Sequence, residues 1–414
     1  MVRSSSKTGL SVNVSKQRLD LLSNLLVDEL TGLVSQGVHD WLKQRSVLLA
    51  ELLVNAEVIQ LVGERNKHNA NRDCVRWGRQ DGSVLLAEQR IPLSKPRLRT
   101  SDGKKEIELQ TYKALNDKDF LNEQAVAKLL SGVSTRRFEK NVDKLLGARG
   151  IGRQTISQRG IAEMNKQLEE FETRNLQGLN IVTVFMDGIH LGEDVFIAAV
   201  GIGSDGKRHI LGFESGSTEN TGVCRALLSK LIDRAVLSES GGILFVVDGG
   251  KGLQKAIKEV FGKRAYVQRC TIHKKRNVEE KLPEKLRVEF RHKFNAAYNK
   301  RTLKEAETAF VDLRTWLLVK KRTGAAASLL EGQQQILTLH RLGITGALRK
   351  SLCTTNCIES IFSAARYYTR NIKRWHGEEQ MSRWIASGLL EAEKNLRRVP
   401  GYTQINKLKQ ALQK

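Results

Sequence analysis

Two aspartates occupy matching places in the middle of the chain. Asp187 follows the apolar run Ile181–Met186, Asp248 follows the apolar run Ile243–Val247, and a glycine comes after each aspartate. Carboxylates at the ends of buried strands are costly unless a cation or hydrogen bonds compensate them. A pair on neighbouring strands in a basic chain therefore indicates a divalent metal site that acts on phosphodiesters. The alternative is that each aspartate only forms a turn, because Asp-Gly is a common turn pair.

The pattern around these aspartates predicts an α/β unit. Strand-like runs lie at Ile181–Met186, Val195–Ile202, His209–Phe213, Ile243–Val247 and Ala265–Val267. Helical patterns separate the last three runs, at about Thr221–Val236 and from the glycines after Asp248 to about Phe261. We predict a mixed sheet covered by helices, with a hairpin turn at Asp205-Gly206. The glycines after Asp248 match neither common nucleotide-binding loop.

Three further residues have spacings that chemistry could use. Cys270 and His273 form a C-x-x-H, but no second pair follows at zinc-finger spacing, which favours a buried structural pair over zinc. Glu359 lies three residues after Asn356, where a new helix is predicted to begin. That spacing predicts a capping box, in which Glu359 only caps the helix.

The first 110 residues change from a helical pattern to a β-rich pattern near residue 70. Residues 17–66 carry leucine-rich helical stripes on both sides of Gly37, which predict a packed two-helix hairpin or a module for dimerisation or DNA docking. Residues 72–110 suggest a small β-rich piece or linker with short strands such as Ser83–Leu86 and Glu106–Leu109. The run 90–105 contains six Lys/Arg and one acid. It is predicted to be either a solvated loop or a strand that lies along a phosphate backbone.

Two later regions suggest DNA contacts. Residues 121–174 predict three helices with a short Gly-containing turn after the first, as in a helix-turn-helix, although a plain helical bundle has the same pattern. The candidate contact residues there are Arg136, Arg137, Arg153, Gln154 and Ser157. After a helical block at 274–350, several basic residues and one tryptophan are predicted to recur on or near one helical face. Such a face is suited to contacts with backbone phosphates and to base stacking. Its members are Arg366, Arg370, Lys373, Arg374 and Trp375, and Lys251 is a further candidate.

Composition points to the same kind of partner. The 414 residues include 69 Lys+Arg and 45 Asp+Glu, for a formal charge of +24. This surplus predicts a polyanion partner, nucleic acid before membrane. No apolar run of membrane-spanning length or secretion signal is visible, and five cysteines are an odd number. We therefore expect a reduced, cytoplasmic location.

Four motifs together resemble one family. FMDGIH, VVDGGKGLQKAI, VQRCTIHKKRNV and TTNCIESIF occur in the order and context of the Mutator-type transposases of bacterial insertion sequences, over roughly residues 110–400. The resemblance implies a ribonuclease H-like core with an all-helical insertion and a DDE triad. Asp187, Asp248 and Glu359 would then bind two Mg²⁺ or Mn²⁺ ions. Cys270 and His273 would be structural or DNA-contacting residues near the active site.

The same resemblance implies an activity and a domain plan. We expect binding to terminal inverted repeats and target DNA, hydrolysis that frees a 3′-hydroxyl, strand transfer by that hydroxyl, and a homodimer near the bacterial nucleoid. A nuclease or resolvase without strand transfer, or a DNA-binding regulator with a degenerate core, are the alternatives. We expect six segments. They are a helical N-terminal region (1–70), a small β-rich or linker segment (71–110), a helix-turn-helix domain (111–178), the first part of the core (179–273), an all-helical insertion (274–350) and the last part of the core (351–414).

Overall fold

The computed structural model describes most of the chain in two compact units. The described residues are 38–65, 67, 73–86, 89–116, 118–135, 149–150, 152–191, 194–216, 220–234 and 241–413. The first unit contains those up to Glu163 except 130–132, and the second contains 130–132 and the residues from Met164 onward. The predicted helix before Gly37 lies outside the described residues.

The first unit combines one long helix with a long hairpin. Its elements are α1 (Val38–Val62), β1 (Cys74–Leu86), β2 (Gln89–Thr100), β3 (Glu106–Ile107), α2 (Gln110–Ala114), α3 (Lys118–Leu130), β4 (Arg149–Gly150) and the first turns of α4 (Arg153–Thr173). Buried Val54 and Val58 of α1 pack against Val84 and Ile91 of the hairpin. Because the apolar residues of β2 alternate with exposed ones, one face of the hairpin closes this core and the other faces water.

The hairpin strands are longer than the short strands predicted from the sequence. β2 runs through Pro92 and Pro96, which the sequence pattern treats as breaks. On its side away from β1, β2 pairs with β4 only at Gln89–Arg90 and with β3 only at Leu98–Arg99. Both prolines lie between these pairings, where this edge of β2 has no partner strand among the described residues. The proline nitrogen, which carries no hydrogen, therefore costs no inter-strand hydrogen bond there.

The second unit is built on a mixed five-stranded sheet, as predicted. The strands are β5 (Ile181–Leu191), β6 (Asp194–Gly203), β7 (Arg208–Gly216), β8 (Ile243–Val247) and β9 (Ala265–Arg269), in the spatial order β7-β6-β5-β8-β9. β5, β6 and β7 are antiparallel, and β8 and β9 run parallel to β5. The predicted turn at Asp205-Gly206 joins β6 to β7, and Gly206 has the positive φ of +80° that such a turn needs.

Helices cover both faces of this sheet. They are α5 (Thr221–Asp233), α6 (Lys251–Phe261), α7 (Thr271–Glu279), α8 (Glu284–Tyr298), α9 (Leu303–Val319), α10 (Thr323–Ile336), α11 (Thr338–Arg341), α12 (Gly346–Leu352), α13 (Asn356–Thr369), α14 (Glu378–Lys394) and α15 (Ile405–Ala411). One core lies between the sheet and α5 and α6. The other lies between the sheet and helices α8–α10 and α12–α15. Between β9 and α13 the chain is helical, as its apolar stripe predicts.

A membrane span requires a helix of sufficient length and apolarity. Over the described ranges, every helix is either too short or too polar to cross a bilayer.

Candidate active site

Asp187 lies on β5, and Asp248 directly follows the neighbouring parallel strand β8. β5 pairs with β8 up to Met186↔Val247, so the two aspartates occupy the next positions in register. Adjacent strands are about 4.8 Å apart. The prediction that Asp187 ends its strand is wrong, because β5 continues to Leu191 and Asp187 pairs with Ala198 of β6. The long β5–β6 hairpin extends the strand beyond the point where its parallel partner stops.

Both aspartates belong to the same face of the sheet. Side chains alternate between faces along a strand. Phe185 and Ile189 on either side of Asp187 belong to the core under α13, and so do Leu244 and Val246 before Asp248. The alternation therefore directs both carboxylates toward the face that α13 covers, and both residues are half-buried.

Glu359 comes to this face from α13. The helix packs against β5 through its buried side, which includes Ile358 and Phe362, while Glu359 itself is exposed. The predicted capping box is wrong, because the N-cap residue is Thr355 instead of Asn356 and makes no side-chain cap hydrogen bond. Glu359 is then one residue too far along the helix for that box.

The Thr355 side chain faces Glu359 and the C-x-x-H pair at once. Its hydroxyl donates a 2.8 Å hydrogen bond to Oε1 of Glu359. The same hydroxyl oxygen lies 3.5 Å from Sγ of Cys270 and 3.4 Å from Nδ1 of His273, and the Thr355 amide donates to that sulfur at 3.4 Å. Because Thr355 is fully buried, these are the partners that satisfy its polar atoms. Sequence reasoning treated this residue only as part of a helix start.

Cys270 connects this group to the Asp248 strand. It follows β9 directly and is the N-cap residue of α7, and its amide donates a 2.7 Å hydrogen bond to the carbonyl of Val247. Burial raises the pKa of the Cys270 thiol, but hydrogen bonds with His273 and Thr355 outweigh burial, and the net pKa is below its usual value.

His273 experiences the charge of the aspartates. Its hydrogen bond with Cys270 raises the pKa of the imidazole, burial opposes this, and the negative charges of Asp187 and Asp248 raise the pKa further. The ring is therefore close enough to both aspartates for their fields to act on it. The structural or DNA-contacting role expected for the C-x-x-H pair stays a prediction.

The carboxylates have local hydrogen bonds. Oδ1 of Asp187 accepts from the Gly188 amide, and Oδ1 of Asp248 accepts from the Gly250 amide. Across the described residues, no group of three or more His, Cys, Asp and Glu side chains is arranged so that it could hold a metal ion. The donor types nevertheless suit Mg²⁺, which prefers carboxylate oxygens, and these two Asp side chains come from adjacent backbone positions. For Asp187 and Asp248 to bind one ion together, their side chains would have to rotate toward each other on the sheet face that they share.

A buried cationic cluster supports the turn after Asp248. Arg269 and Lys274 are both buried, and both contact Oε2 of Glu331, at 2.8 and 2.6 Å. A β carbon on Gly249 would lie 2.0 Å from Nε of Arg269, so the guanidinium packs where a side chain would otherwise be. Gly249 also has a φ of +112°, which favours glycine. Neither basic residue stands out in the sequence, because each lies within a generally basic stretch.

The predicted DNA-contact residues fall in several places. Arg153 and Gln154 are exposed in the first turn of α4, and Ser157 is half-buried there. Lys251 is the exposed first residue of α6, three positions after Asp248. Arg136 and Arg137 lie outside the described residues.

The prediction of one basic helical face after Glu359 is wrong. α13 ends at Thr369, so only Arg366 lies on the helix. Arg370 is the C-cap residue, and its guanidinium donates to the carbonyl of Tyr367, which helps to end the helix by occupying a last-turn carbonyl. The remaining predicted members, in irregular chain, are Lys373, Arg374 and Trp375. The tryptophan is half-buried and packs against the core of the second unit.

The fold is a mixed α/β sheet covered by helices, with Asp187 and Asp248 on the face that α13 covers. A family model described as "Transposase, Mutator family" matches residues 18–398. The chain therefore belongs to the Mutator family of transposases, as its four motifs predict.

Individual relatives are similar at low identity over much of the chain. The transposase for insertion sequence element IS256 in transposon Tn4001 of Staphylococcus aureus is 24% identical over 380 residues, 88% of this chain and 93% of that protein. The transposase for insertion sequence element ISRM3 of Rhizobium meliloti (strain 1021) is 25% identical over 401 residues, 94% of each chain. The transposase for insertion sequence element IS905 of Lactococcus lactis subsp. lactis (strain IL1403) is 26% identical over 281 residues, 65% of this chain and 68% of that protein.

Proposed function

We propose that this chain is a DDE transposase that binds the terminal inverted repeats of an insertion sequence, cuts the DNA there and joins the freed ends to target DNA. Asp187, Asp248 and Glu359 are the catalytic acids of this proposal. The observation that carries it is that Asp187 on β5 and Asp248, directly after the parallel strand β8, follow the last paired residues of the two strands, on the face covered by the helix of Glu359. Family membership supports DNA transposition as the overall activity.

The three carboxylates would hold two divalent cations, Mg²⁺ or Mn²⁺. When bound, the cations would lower the pKa of the attacking water and neutralise charge that develops on the phosphate. The carboxylates themselves provide the hard oxygen ligands, and Thr355 keeps one oxygen of Glu359 oriented by its hydrogen bond. We assign the sheet and its flanking helices to a ribonuclease H-like core, with residues 274–350 as its helical insertion.

The chemistry then has two phosphoryl-transfer steps. In the first, the oxygen of water forms a bond to phosphorus at the element end, and the bond to the bridging 3′ oxygen breaks, which leaves a 3′-hydroxyl and a 5′-phosphate. In the second, that 3′ oxygen loses its proton and attacks a phosphodiester of the target, whose own bridging 3′ oxygen leaves. No covalent intermediate with the protein is needed in either step.

DNA binding is assigned to the basic parts of the chain. The helix-turn-helix region would read the repeats in the major groove, with Arg153 and Gln154 of α4 exposed for this role. Lys251 and the basic residues after Glu359 would contact phosphates near the acids. Because two ends are joined in one event, we expect at least a homodimer, which acts in the cytoplasm on the chromosome.

One experiment tests cutting and joining separately. The full-length chain is incubated with Mg²⁺ and a labelled duplex that carries the ends of its own element, and the products are mapped. We expect cleavage at the element boundary with a 3′-hydroxyl, and we expect a duplex supplied already cut to be joined to target DNA. Cutting without joining would support a nuclease, and binding with no metal-dependent cutting would support a regulator; either result would overturn the proposal.

A further inference from the structure

We propose that a cleft in the first unit, between α1 and the β1–β2 hairpin, binds the backbone phosphates of duplex DNA outside the helix-turn-helix region. The cleft has a volume of about 320 Å³. Four arginines are among the residues that line it: Arg65, Arg76, Arg79 and Arg97. DNA as the source of the phosphate rests on the proposed function, whereas an anion as the ligand rests on the cleft alone.

Most of the positive charge in this cleft is not neutralised. Arg97 forms a two-point ion pair with Glu106, at 2.6 and 3.1 Å. Among the described residues, the Arg76 side chain has one acceptor, the carbonyl of Gly63, at 2.7 Å, and this bond fixes the side chain without cancelling its charge.

Among the described residues, the other two arginines of the cleft also have no carboxylate partner. Arg79 donates to the hydroxyl and carbonyl oxygens of Ser94, at 3.1 and 3.3 Å. Arg65 has no hydrogen bond or ion pair with the described residues, and the residues that line the cleft include no acid. Three uncompensated guanidinium groups in a concave site favour an anion, and their planar forks match phosphate oxygens.

A β-bulge brings the hairpin arginines together. Arg76 pairs with Leu98 and Arg79 pairs with Pro96, so two residues of β1 stand opposite Arg97 alone. In a regular strand, residues three apart point to opposite faces. The extra residue reverses that alternation, and both arginines line the same cleft.

Glycine makes this bulge possible. Gly78 lies inside it with a φ of +105°, a conformation that residues with a β carbon rarely adopt. No atom lies within 4 Å of the position that a β carbon on Gly78 would occupy. Replacement would therefore strain the backbone without a clash and without any change of charge. That makes Gly78 a probe of the cleft's shape, separate from its charge.

The floor and rim of the cleft suit a sugar-phosphate segment. Val58 is buried and Ile59 half-buried at the side of α1, and Pro96 is buried on β2, so the floor is apolar. An apolar floor under a cationic rim is suited to a sugar flanked by phosphates.

The test is the salt dependence of binding to a duplex of arbitrary sequence. The full chain is titrated against a fluorescein-labelled 20-base-pair duplex by anisotropy over a range of KCl concentrations, and log K is plotted against log [KCl]. For Arg65→Gln with Arg79→Gln we expect the slope to fall by about 2, because each lost phosphate contact removes about one from it. Lys104→Gln with Lys105→Gln removes the same charge from exposed positions outside the cleft and should change the slope less. An equal change in both pairs would overturn the proposal.

Gly78→Ala supplies the second variant. It keeps every charge but opposes the bulge, so we expect a smaller slope in a chain whose circular dichroism matches wild type. A folded Gly78→Ala chain with the wild-type slope would contradict the role of the bulge. If Gly78→Ala does not fold, the arginine pair decides alone.

Inorganic phosphate, added at constant ionic strength, should compete only weakly with the duplex; displacement of the duplex at equimolar phosphate would mean that the cleft takes free anions. The slope reports phosphate contacts and not cleavage, so failure of the catalytic proposal would not change how this result is interpreted.

Discussion

Thr355 and Glu359 are joined by a 2.8 Å hydrogen bond from the hydroxyl to Oε1, across the first turn of α13. An N-cap threonine usually bonds to a backbone amide of its own helix. Here the hydroxyl bonds to a carboxylate instead, and it sits beside Cys270 and His273. The direction of Glu359 is therefore tied to the segment that follows β9, which is itself bonded to the Asp248 strand at Val247.

This relationship predicts a specific role for the Thr355 hydroxyl. Thr355→Val keeps the shape but removes the donor, and a hydrogen bond to a charged group is worth about 1.5–3 kcal/mol. We expect cleavage of an element end to slow by roughly 10–100-fold, since each 1.4 kcal/mol is a tenfold change in rate. Thr355→Ser keeps the donor and should retain most of the rate. Equal losses in the two variants would assign Thr355 to packing alone.

Replacement of any one acid should remove catalysis and spare binding. Asp187→Asn, Asp248→Asn and Glu359→Gln each remove one negative ligand at nearly constant volume. We expect cleavage to fall by more than about 10²-fold, as for loss of a main electrostatic contributor. Affinity for the element end, measured by gel shift without divalent metal, should change little. If all three variants lost DNA binding instead, catalytic roles for these residues would be contradicted.

Gly249 should tolerate alanine poorly because two costs coincide there. The φ of +112° disfavours a side chain, and a β carbon would meet the Arg269 guanidinium at 2.0 Å. Gly262→Ala is a matched control, since its φ is +54° and nothing lies within 4 Å of its β-carbon position. Strain alone costs about 1–3 kcal/mol. We expect thermal unfolding to show a larger loss of stability for Gly249→Ala, together with slower cleavage. Similar melting temperatures for the two variants would rule out the predicted clash.

His340 should make the second unit less stable in acid. Its buried Nε2 lies 3.1 Å from the Tyr298 carbonyl oxygen and 3.3 Å from that of Lys300, whereas its Nδ1 is buried without a hydrogen-bond partner among the described residues. Burial lowers the pKa of this imidazole, and the charge of Arg349 lowers it further. The unfolded chain therefore takes up the proton at a higher pH than the folded chain does.

The direction of the pH effect follows from that difference. The stabilising contribution of neutral His340 is complete above the unfolded pKa of about 6.5 and is lost as the pH falls below it. We expect the free energy of unfolding, from denaturant titrations at pH 7.5 and 5.5, to drop more for wild type than for His340→Gln. An identical drop in both would remove His340 as the cause.

Arg136 and Arg137 remain predictions from the sequence, since they lie outside the described residues. If they begin a recognition helix, Arg136→Ala with Arg137→Ala should weaken binding to the terminal repeats more than binding to random duplex, by about 1–3 kcal/mol for each base contact. Competition gel shifts with both duplexes measure this difference. Equal weakening on both duplexes would reduce the two arginines to phosphate contacts.

The sequence was informative where local pattern and fold agree. The β-branched runs that became β5 and β8 predicted the central sheet, and with it the neighbouring positions of Asp187 and Asp248. It failed where pairing partners decide the structure. The extension of β5 past Asp187 depends on β6, and the passage of β2 through Pro96 depends on which edge of that strand is unpaired. A short stretch of sequence shows neither which strand pairs with β5 nor which edge of β2 is unpaired.

Side-chain competition explains the other errors. The spacing from Asn356 to Glu359 suits a capping box, but the helix takes Thr355 as its N-cap residue, and the Thr355 hydroxyl bonds to the carboxylate. Likewise, the basic residues after Arg366 fit a helical period, but α13 ends at Thr369, and Arg370 bonds to a carbonyl of its last turn. In both cases, a side-chain contact at one end of α13 replaces the arrangement that the local pattern predicts.

The most direct test of the central claim is Mn²⁺ binding followed by electron paramagnetic resonance, in which free Mn²⁺ gives the signal that protein-bound Mn²⁺ loses. The full chain is titrated in complex with an element end, beside Asp187→Asn, Asp248→Asn and Glu359→Gln under the same conditions. If the three carboxylates form one divalent-cation site, wild type will take up two ions and each variant will bind Mn²⁺ more weakly. Equal uptake by all four proteins would contradict a shared site for these acids.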